Sequence, residues 1–219
     1  MSEESKQTMK DRVFAVLFNS REHLADVFNT LFPDNGPVTG EEVNTIDMEV
    51  YLSAEHFDAG FLVRDSRMIL VETQSVFSMN YATRILISLP ELLNNYLRAH
   101  GQSMYSRKRL HFPTPSFFII YTGQEDVPSS FLLSELFENS SDRASRSGVL
   151  ESEACVELQV NVVRKSGTDG ILNQYIRFCQ IADEMRDKFG DSDEADKETV
   201  KKCMEEGILT DVLASLDGG

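Results

Sequence analysis

The sequence predicts an α/β fold in which a mixed β-sheet is flanked by helices. Apolar residues recur at three- and four-residue steps near the N-terminus, alternate with polar residues in the middle of the chain, and return to helical spacing beyond residue 170. The chain has 219 residues, of which 41% are hydrophobic, so it can bury a core without staples. We assign residues 1–189 to one domain and residues 190–219 to an acidic helical tail.

The first half of the chain predicts one helix followed by three strands. Apolar residues form a single stripe over residues 8–32, and a cluster of proline, glycine and polar residues at 33–37 ends that helix. Short apolar or alternating stretches then predict strands over residues 46–53, 57–64 and 68–75. The polar segment between the last two strands predicts a tight turn, so these strands form a hairpin.

The second half predicts a buried helix, two further strands and two more helices. Residues 80–97 are apolar on most sides, which predicts a helix packed on the sheet, with a kink or restart at Pro90. The unbroken apolar run 117–121 predicts a central strand. The remaining predicted elements are an irregular surface excursion, a strand and two helices, over residues 127–151, 156–163, 171–189 and 197–216.

Charge is unevenly spread along the chain. The 36 acidic and 21 basic side chains give a net charge of −15, which argues against a protein that coats nucleic acid. The segment from Asp183 to the C-terminus carries twelve acids and five bases. The segment from Leu92 to Gln124 carries no acid at all. The chain is therefore polarised in charge.

Cysteine usage and hydropathy predict a cytoplasmic protein. The three cysteines are widely separated, odd in number and form no CxxC pair, which favours a reduced compartment. No apolar run approaches the roughly 20 residues that a bilayer-spanning helix needs. The polar N-terminus also lacks the basic start and apolar core of a secretion signal. We expect no membrane partner.

Two carboxylates and an amide converge at one end of the predicted hairpin. Side chains alternate along a strand, so Glu72 and Gln74 lie on the same face. Pairing about the turn brings Asp58 close to Glu72, at the same end of the two strands. Two adjacent carboxylates repel each other, and a hard divalent cation such as Mg²⁺, which takes one or two carboxylates plus waters, removes that repulsion.

A purely structural explanation competes with this one. A glutamate at the end of an apolar strand is often simply the point where the chain reaches solvent, and the spacing D-x13-E-x-Q alone does not decide between the two. Glu22, Asp11, Asp47 and Glu49 are expected to be solvent-facing charges. The four histidines show no zinc spacing.

Several blocks, in order, give the chain a family resemblance. They are Phe57–Val63, Leu70–Ser75, Asn80–Arg84, Pro113–Gly123, Glu157–Val162 and Cys203–Leu209. Together they resemble the PD-(D/E)XK nuclease superfamily, and within it the recombination-promoting nuclease (Rpn) branch, which is also described as a transposase family. The resemblance spans most of the chain and implies a restriction-endonuclease-like core.

The resemblance implies a site and a reaction. Asp58 and Glu72 would hold Mg²⁺ or Mn²⁺, the Thr73 carbonyl would add an oxygen ligand, and all would serve the hydrolysis of DNA phosphodiester bonds. Gln74 stands where the superfamily usually has lysine, as is common in this branch. Thr73 replaces the branch's usual histidine, and Gly60 its usual serine.

The basic residues near the site each have two explanations. Arg84 enters the helix after the site and could contact a phosphate or pair with a carboxylate. Arg107, Lys108 and Arg109 could bind a nucleic-acid backbone or form a solvated loop. DNA, bound weakly through its backbone, is the expected partner.

Two questions stay open at the level of sequence. The stripe formed by Val200, Met204, Ile208 and Val212 could dock on the domain or on a second copy, which would give a homodimer through the C-terminal helices. The alternative to a DNA endonuclease is a catalytically weak or inactive protein-interaction module with the nuclease fold, consistent with the strong negative charge and with the altered Thr73 and Gly60. The sequence does not separate DNA from RNA as a substrate.

Overall fold

The computed structural model describes residues 8–46, 57–137, 156–165, 167 and 169–217. The chain divides into two compact units. The first, which we call the helical unit, comprises Met1–Thr45 and Arg164–Gly219, and the second, the sheet unit, comprises Ile46–Val163.

The helical unit is built from helices drawn from both ends of the sequence. They are α1 (Met9–Asn19), α2 (Arg21–Leu31), α4 (Ile171–Phe189), α5 (Asp193–Glu206) and α6 (Thr210–Asp217), with 3-10 turns at Pro33–Asn35 and Gly40–Glu42. Asp26 on α2 accepts a hydrogen bond from the Ile171 N–H at 2.7 Å. This carboxylate caps the start of α4, where the residue before the helix is a glycine without a side-chain cap.

The β-sheet has six strands in the order β1-β2-β3-β4-β6-β5. The strands are β1 (Val43–Ile46), β2 (Ala59–Val63), β3 (Arg67–Gln74), β4 (Thr114–Tyr121), β5 (Ser130–Leu132) and β6 (Gln159–Val163). β3 pairs with β2 antiparallel and with β4 parallel, so the sheet is mixed. The helix α3 (Tyr81–Ala99) forms the crossover between the parallel strands β3 and β4.

One face of the sheet unit packs against α3 in a dense apolar core. Alternate residues of β3, Met68 and Leu70, contribute to it and have no solvent exposure. From α3 the buried positions Tyr81, Ile85 and Leu92 recur at helical spacing. Since Glu72 and Gln74 continue the alternation of Met68 and Leu70, they extend the row of side chains that faces α3.

The predicted fold class is confirmed. The hairpin is present, β4 is a central strand, and the helix predicted over 171–189 has those bounds. The hairpin turn places Arg64 and Asp65 at positive φ (50° and 48°), and the Ser66 N–H donates to the Val63 carbonyl at 3.1 Å. Two successive positive φ values match the twist of the flanking strands.

Two long helices were wrongly predicted as continuous. The helix expected over 8–32 is interrupted at Ser20, which is extended and accepts a hydrogen bond from the His23 N–H at 3.3 Å, so it caps α2. The helix expected over 197–216 ends at Gly207, whose φ of 70° is left-handed. Glycine enters this region at little cost, so the chain turns there before α6.

Other predictions had mixed outcomes. α3 runs through Pro90 without a restart. The excursion expected over 127–151 contains a short strand, β5, which pairs with β6 through Phe131 and Val160. The strand predicted over 46–53 lies mostly outside the described residues, as do Asp47 and Glu49.

The domain boundary predicted at 189/190 stays a prediction. Of the cysteines that the structure describes, Cys179 and Cys203 are buried and free. Among the residues described, the structure has no helix long and apolar enough to cross a bilayer.

The ends of β3 and β4 meet too closely to admit a side chain at Gly123. A Cβ there would lie 2.4 Å from the Ser75 carbonyl oxygen and 2.4 Å from the Tyr121 hydroxyl. We expect Gly123→Ala to lower the free energy of unfolding by about 2 kcal/mol or more, because backbone must shift to make room. Chemical denaturation measures this change.

Gly207→Ala is the matched control, because a Cβ there meets nothing within 4 Å. Its cost comes from the positive φ alone and should be about 1 kcal/mol. If Gly123→Ala lowered the free energy of unfolding no more than Gly207→Ala does, the close approach of the ends of β3 and β4 would be contradicted.

Candidate active site in the sheet unit

Asp58 and Glu72 lie at the open end of the β2–β3 hairpin. Ala59 pairs with Val71, and Asp58 immediately precedes that pair. The Asp58 N–H donates to the Val71 carbonyl at 3.0 Å, and its carboxylate accepts the Thr73 N–H at 2.7 Å. The Asp58 carboxylate is thereby held beside β3 at the level of Glu72 and Thr73.

The carbonyl of Thr73 points to the strand edge on which Asp58 lies. Within a strand the N–H and C=O of one residue point to the same edge, and those of the next residue point to the other. The Gln74 carbonyl accepts the Thr122 N–H at 2.9 Å, on the β4 side. The Thr73 N–H is bound by Asp58, so the Thr73 carbonyl also faces the β2 side.

Glu72 is paired with Arg84 from the first turns of α3. The Arg84 Nη1 lies 3.1 Å from the Glu72 Oε1, and the side chains are 40% and 12% exposed, respectively. The guanidinium also lies 5.1 Å from the centre of the Tyr81 ring, over its face. Of the two roles considered for Arg84, the structure therefore shows pairing with a carboxylate; contact with a phosphate stays a prediction.

The pKa of Glu72 is raised from 4.5 to about 7. Burial is the largest cause, and the negative charge of Asp58 acts in the same direction. The positive charge of Arg84 and its hydrogen bond lower the pKa but do not offset these effects. The negative charge of Asp58 therefore acts on Glu72 and makes its carboxyl group harder to ionise.

Tyr81 was not among the site residues predicted from the sequence. Its side chain has no solvent exposure, and its hydroxyl has no hydrogen-bond partner among the described residues. Its pKa is raised well above 10, first by burial and then by the charges of Glu72 and Asp58. The neutral phenol thus lies within the field of both carboxylates. Tyr81 lies three positions before Arg84, on the same helix face, but this spacing does not separate a site residue from a core residue.

Gln74 is buried and aligned with Glu72. Its Oε1 accepts the Ser78 N–H at 3.3 Å, which fixes the orientation of the amide. Its Nε2 is buried and has no partner among the described residues. An amide held in this way can orient a water but carries no positive charge.

The structure does not bring the loop cations to this site. Arg107, Lys108 and Arg109 are exposed and lie in the loop that leads to Thr114, which is level with Arg67 at the start of β3. Glu72 lies five residues further along, about 17 Å at 3.3 Å per residue.

Among the other carboxylates, Glu22 and Asp11 are exposed, as predicted. Both belong to the helical unit. Asp11 forms the capping box of α1 with Thr8, which gives it a structural role.

The donor set fits magnesium better than zinc. In the described ranges, no group of three His, Cys, Asp or Glu side chains could hold a metal ion. Two carboxylates and one carbonyl, open to solvent on the Asp58 side, match the preference of Mg²⁺ for few protein ligands and several waters. A cation there would also offset the repulsion that raises the pKa of Glu72.

No protein-family model, curated protein or solved structure matches this chain. The resemblance to the recombination-promoting nucleases therefore stays a prediction.

The raised pKa of Glu72 makes stability depend on pH. The folded state holds this proton more tightly than the unfolded chain does, so the group's contribution is fully present below pH 4.5 and is lost as pH rises to about 7. Relative to the wild type, Glu72→Gln should become more stable as pH rises through this window, by on the order of 2–3 kcal/mol. Denaturation curves of both proteins between pH 4 and 8 measure the difference.

Two variants separate the causes of the shift. Asp58→Asn removes the like charge, so the carboxyl signal of Glu72 in carbon-13 spectra should titrate at lower pH than in the wild type. Arg84→Met removes the counter-charge, so that midpoint should rise. A Glu72 midpoint that neither variant moves would show that the three side chains are not coupled.

Proposed function

We propose that the chain is a metal-dependent DNA endonuclease of the recombination-promoting type, which hydrolyses phosphodiester bonds with Mg²⁺ or Mn²⁺. The observation that carries the proposal is the placement of Asp58, Glu72 and the Thr73 carbonyl at one end of the hairpin. The family resemblance supports it. A cytoplasmic location is part of the same proposal.

The chain's own residues prepare the site in complementary ways. When bound, Mg²⁺ supplies charge neutralisation at the phosphate and a lower pKa for water. Asp58 and Glu72 would hold it, with the Thr73 carbonyl as a third oxygen. Gln74, whose Oε1 is already engaged by the Ser78 N–H, presents its Nε2 to orient a water beside the carboxylates.

Arg84 can serve the phosphate while it positions Glu72. Only its Nη1 is used by Glu72, and a guanidinium has five N–H donors arranged in a fork. The side chain is 40% exposed, so the remaining donors can reach a substrate oxygen. In this role Arg84 stabilises negative charge that develops on the phosphate with a full positive charge, which the neutral Gln74 lacks.

The Tyr81 hydroxyl is a neutral donor held in a dry location. A phenol whose pKa lies well above 10 keeps its proton at neutral pH. It can therefore donate a hydrogen bond to a carboxylate or a water between Asp58 and Glu72 without adding charge. This gives Tyr81 a positioning role in the proposed mechanism.

A protein-interaction module is the second candidate function. The ion pair between Glu72 and Arg84 favours it, because a paired glutamate can be purely structural. In the helical unit, Ile208 and Val212 are buried while Met204 is 39% exposed. Packing within the chain thus accounts for two of the four residues of the predicted C-terminal stripe. A homodimer through these helices would have to use the half-buried Val200 and the exposed Met204.

Removal of one proposed ligand tests the enzyme. Asp58→Asn should lower the rate of Mg²⁺-dependent nicking of supercoiled plasmid at least a hundredfold, because losing one of two carboxylate ligands weakens binding of the ion and no longer fixes its position. The same variant should lose Mn²⁺ binding in calorimetry. Gel separation of supercoiled and relaxed plasmid provides the rate.

Asp34→Asn is the matched control, since Asp34 is an exposed carboxylate in a 3-10 turn of the helical unit. It should nick plasmid at the wild-type rate. Equal nicking by the variants at positions 58 and 34 would remove Asp58 from the mechanism, and wild-type protein that neither binds Mn²⁺ nor cleaves DNA would favour the interaction module.

Tyr81→Phe separates function from stability. The substitution deletes a buried hydroxyl that makes no hydrogen bond within the described structure, so folding stability should be unchanged or slightly increased. Nicking should nevertheless slow by about tenfold, the effect of losing one hydrogen bond worth roughly 1.4 kcal/mol in the transition state.

The buried Tyr121 offers a comparison for this variant. Its hydroxyl accepts the Glu125 N–H at 3.2 Å, so Tyr121→Phe should lower stability. If Tyr81→Phe were the less stable of the two and nicked at the full rate, its hydroxyl would be structural.

A further inference from the structure

The sheet unit has a basic end opposite the carboxylate pair. Arg67 at the start of β3 is level with Thr114 at the start of β4, and the Thr114 N–H donates to the Ser66 carbonyl at 2.9 Å. Because α3 connects two parallel strands, it returns antiparallel to them and ends at this same end. The hairpin turn, the end of α3 and the following loop therefore meet there.

Cations dominate this end of the unit. Six of them come from the turn, the last turn of α3 and the loop: Arg64, Arg67, Arg98, Arg107, Lys108 and Arg109. The turn adds the acid Asp65, and the sequence between Leu92 and Gln124 adds none. The chain as a whole has a net charge of −15, but this cluster of cations creates a positive field around itself.

The loop cations also lack the local partners that cations have elsewhere. Arg107, Lys108 and Arg109 are exposed. None of them is in an ion pair within the described part of the chain. In the helical unit, by contrast, Arg177 makes two hydrogen bonds of 2.9 Å to Glu206. The loop charges are thus available to an anionic ligand.

Exposed aromatic side chains interrupt the same loop. Tyr105 is 90% exposed and Phe112 is 41% exposed, on either side of the three cations. Hydrogen bonds to the hydroxyls of Ser103 and Ser106 hold the backbone, from the Tyr105 N–H at 3.3 Å and the Lys108 N–H at 3.1 Å. These aromatic side chains and the three cations lie together in one short segment of the loop.

We propose that this basic end, centred on Tyr105, Arg107, Lys108, Arg109 and Phe112, is a binding surface for single-stranded DNA. Cations that follow a phosphate backbone and aromatic rings that stack on unpaired bases are the two components of such surfaces. Paired bases do not expose their faces, so the aromatic residues favour a single strand over a duplex. The choice of DNA rests on the proposed function.

The basic end is close enough to Asp58 and Glu72 for one nucleic-acid strand to reach both. The interval of about 17 Å from Arg67 to Glu72 along β3 is short enough for a few nucleotides of an extended strand to cover it. A strand held at the basic end can therefore extend along the unit to the carboxylate pair. The surface would position substrate without touching the scissile phosphate.

Fluorescence anisotropy of a labelled oligo(dT) tests the proposal on the full chain. A length of about 12 nucleotides spans both ends of the unit, and EDTA separates binding from cleavage. Replacing Arg107, Lys108 and Arg109 by Gln should weaken binding at least tenfold and flatten the log–log salt slope by about 2, which is three contacts at roughly 0.7 each. Tyr105→Ala should weaken binding about fivefold or more and leave the salt slope unchanged.

A charge-matched control replaces Arg21, Lys165 and Lys197 by Gln; all three are exposed residues of the helical unit. Its affinity should stay within a factor of two of the wild type. An equal loss in the control, or an unchanged affinity after Tyr105→Ala, would overturn the proposal. So would duplex of the same length bound as tightly as oligo(dT), or oligo(U) bound more tightly.

The binding surface and the nuclease can fail independently of each other. Asp58→Asn should still bind oligo(dT) in EDTA, because Asp58 lies at the other end of the unit. Binding that depends on the loop, in a protein that never cleaves, would overturn the enzyme and support the surface. A protein that cleaves DNA but whose binding does not depend on the loop would support the enzyme and overturn the binding surface.

Discussion

The register of the β2–β3 hairpin determines where every polar group of the site lies. The type of turn between Val63 and Arg67 sets this register, and Ala59 opposite Val71 is its last regular pair. A slip of one residue would turn Glu72 to the other face of the sheet, together with every apolar residue of β3. Because that would remove Met68 and Leu70 from the core that packs on α3, the hydrophobic core and the carboxylate pair are specified by the same constraint.

Burial of Glu72 is unfavourable by itself, and its surroundings offset the cost only in part. Arg84 contributes one hydrogen bond and a positive charge, yet the pKa of Glu72 still rises to about 7. Tyr81 and Gln74 add buried polar atoms that have no partner among the residues the structure describes. A buried ion pair with a purely structural role would use neighbouring polar groups to satisfy its remaining hydrogen-bonding atoms. Groups that are left unsatisfied around two carboxylates are instead what a site for a cation, a water and a phosphate requires.

The sequence could predict the strands and side-chain faces, which follow from local periodicity. It could not predict a residue's role when that role depends on a partner far away in the sequence. The alternation along β3 and the short turn were enough to place Glu72 and Gln74 on one face near Asp58. Ser20 interrupts an apolar stripe that looks continuous, because its capping bond outweighs helical spacing. Tyr81 could not be recognised as part of the site, since an aromatic residue in an apolar helix is normally core. Its role shows only when the strand opposite is known.

The strong negative charge of the chain is a poor guide to what the sheet unit binds. Electrostatic influence in physiological salt decays over about 8 Å, so a phosphate experiences the charges beside it and not the total. Nearly half of the excess acid lies in the C-terminal segment, whereas the loop around Lys108 has none. The two ends of the sheet unit thus carry opposite charge. The end with Asp58 and Glu72 is negative and can bind a divalent cation. The end with Arg107, Lys108 and Arg109 is positive and can bind a polyanion. A nucleic-acid strand with a metal ion at the scissile phosphate satisfies both ends at once, whereas an acidic protein partner would satisfy only the second.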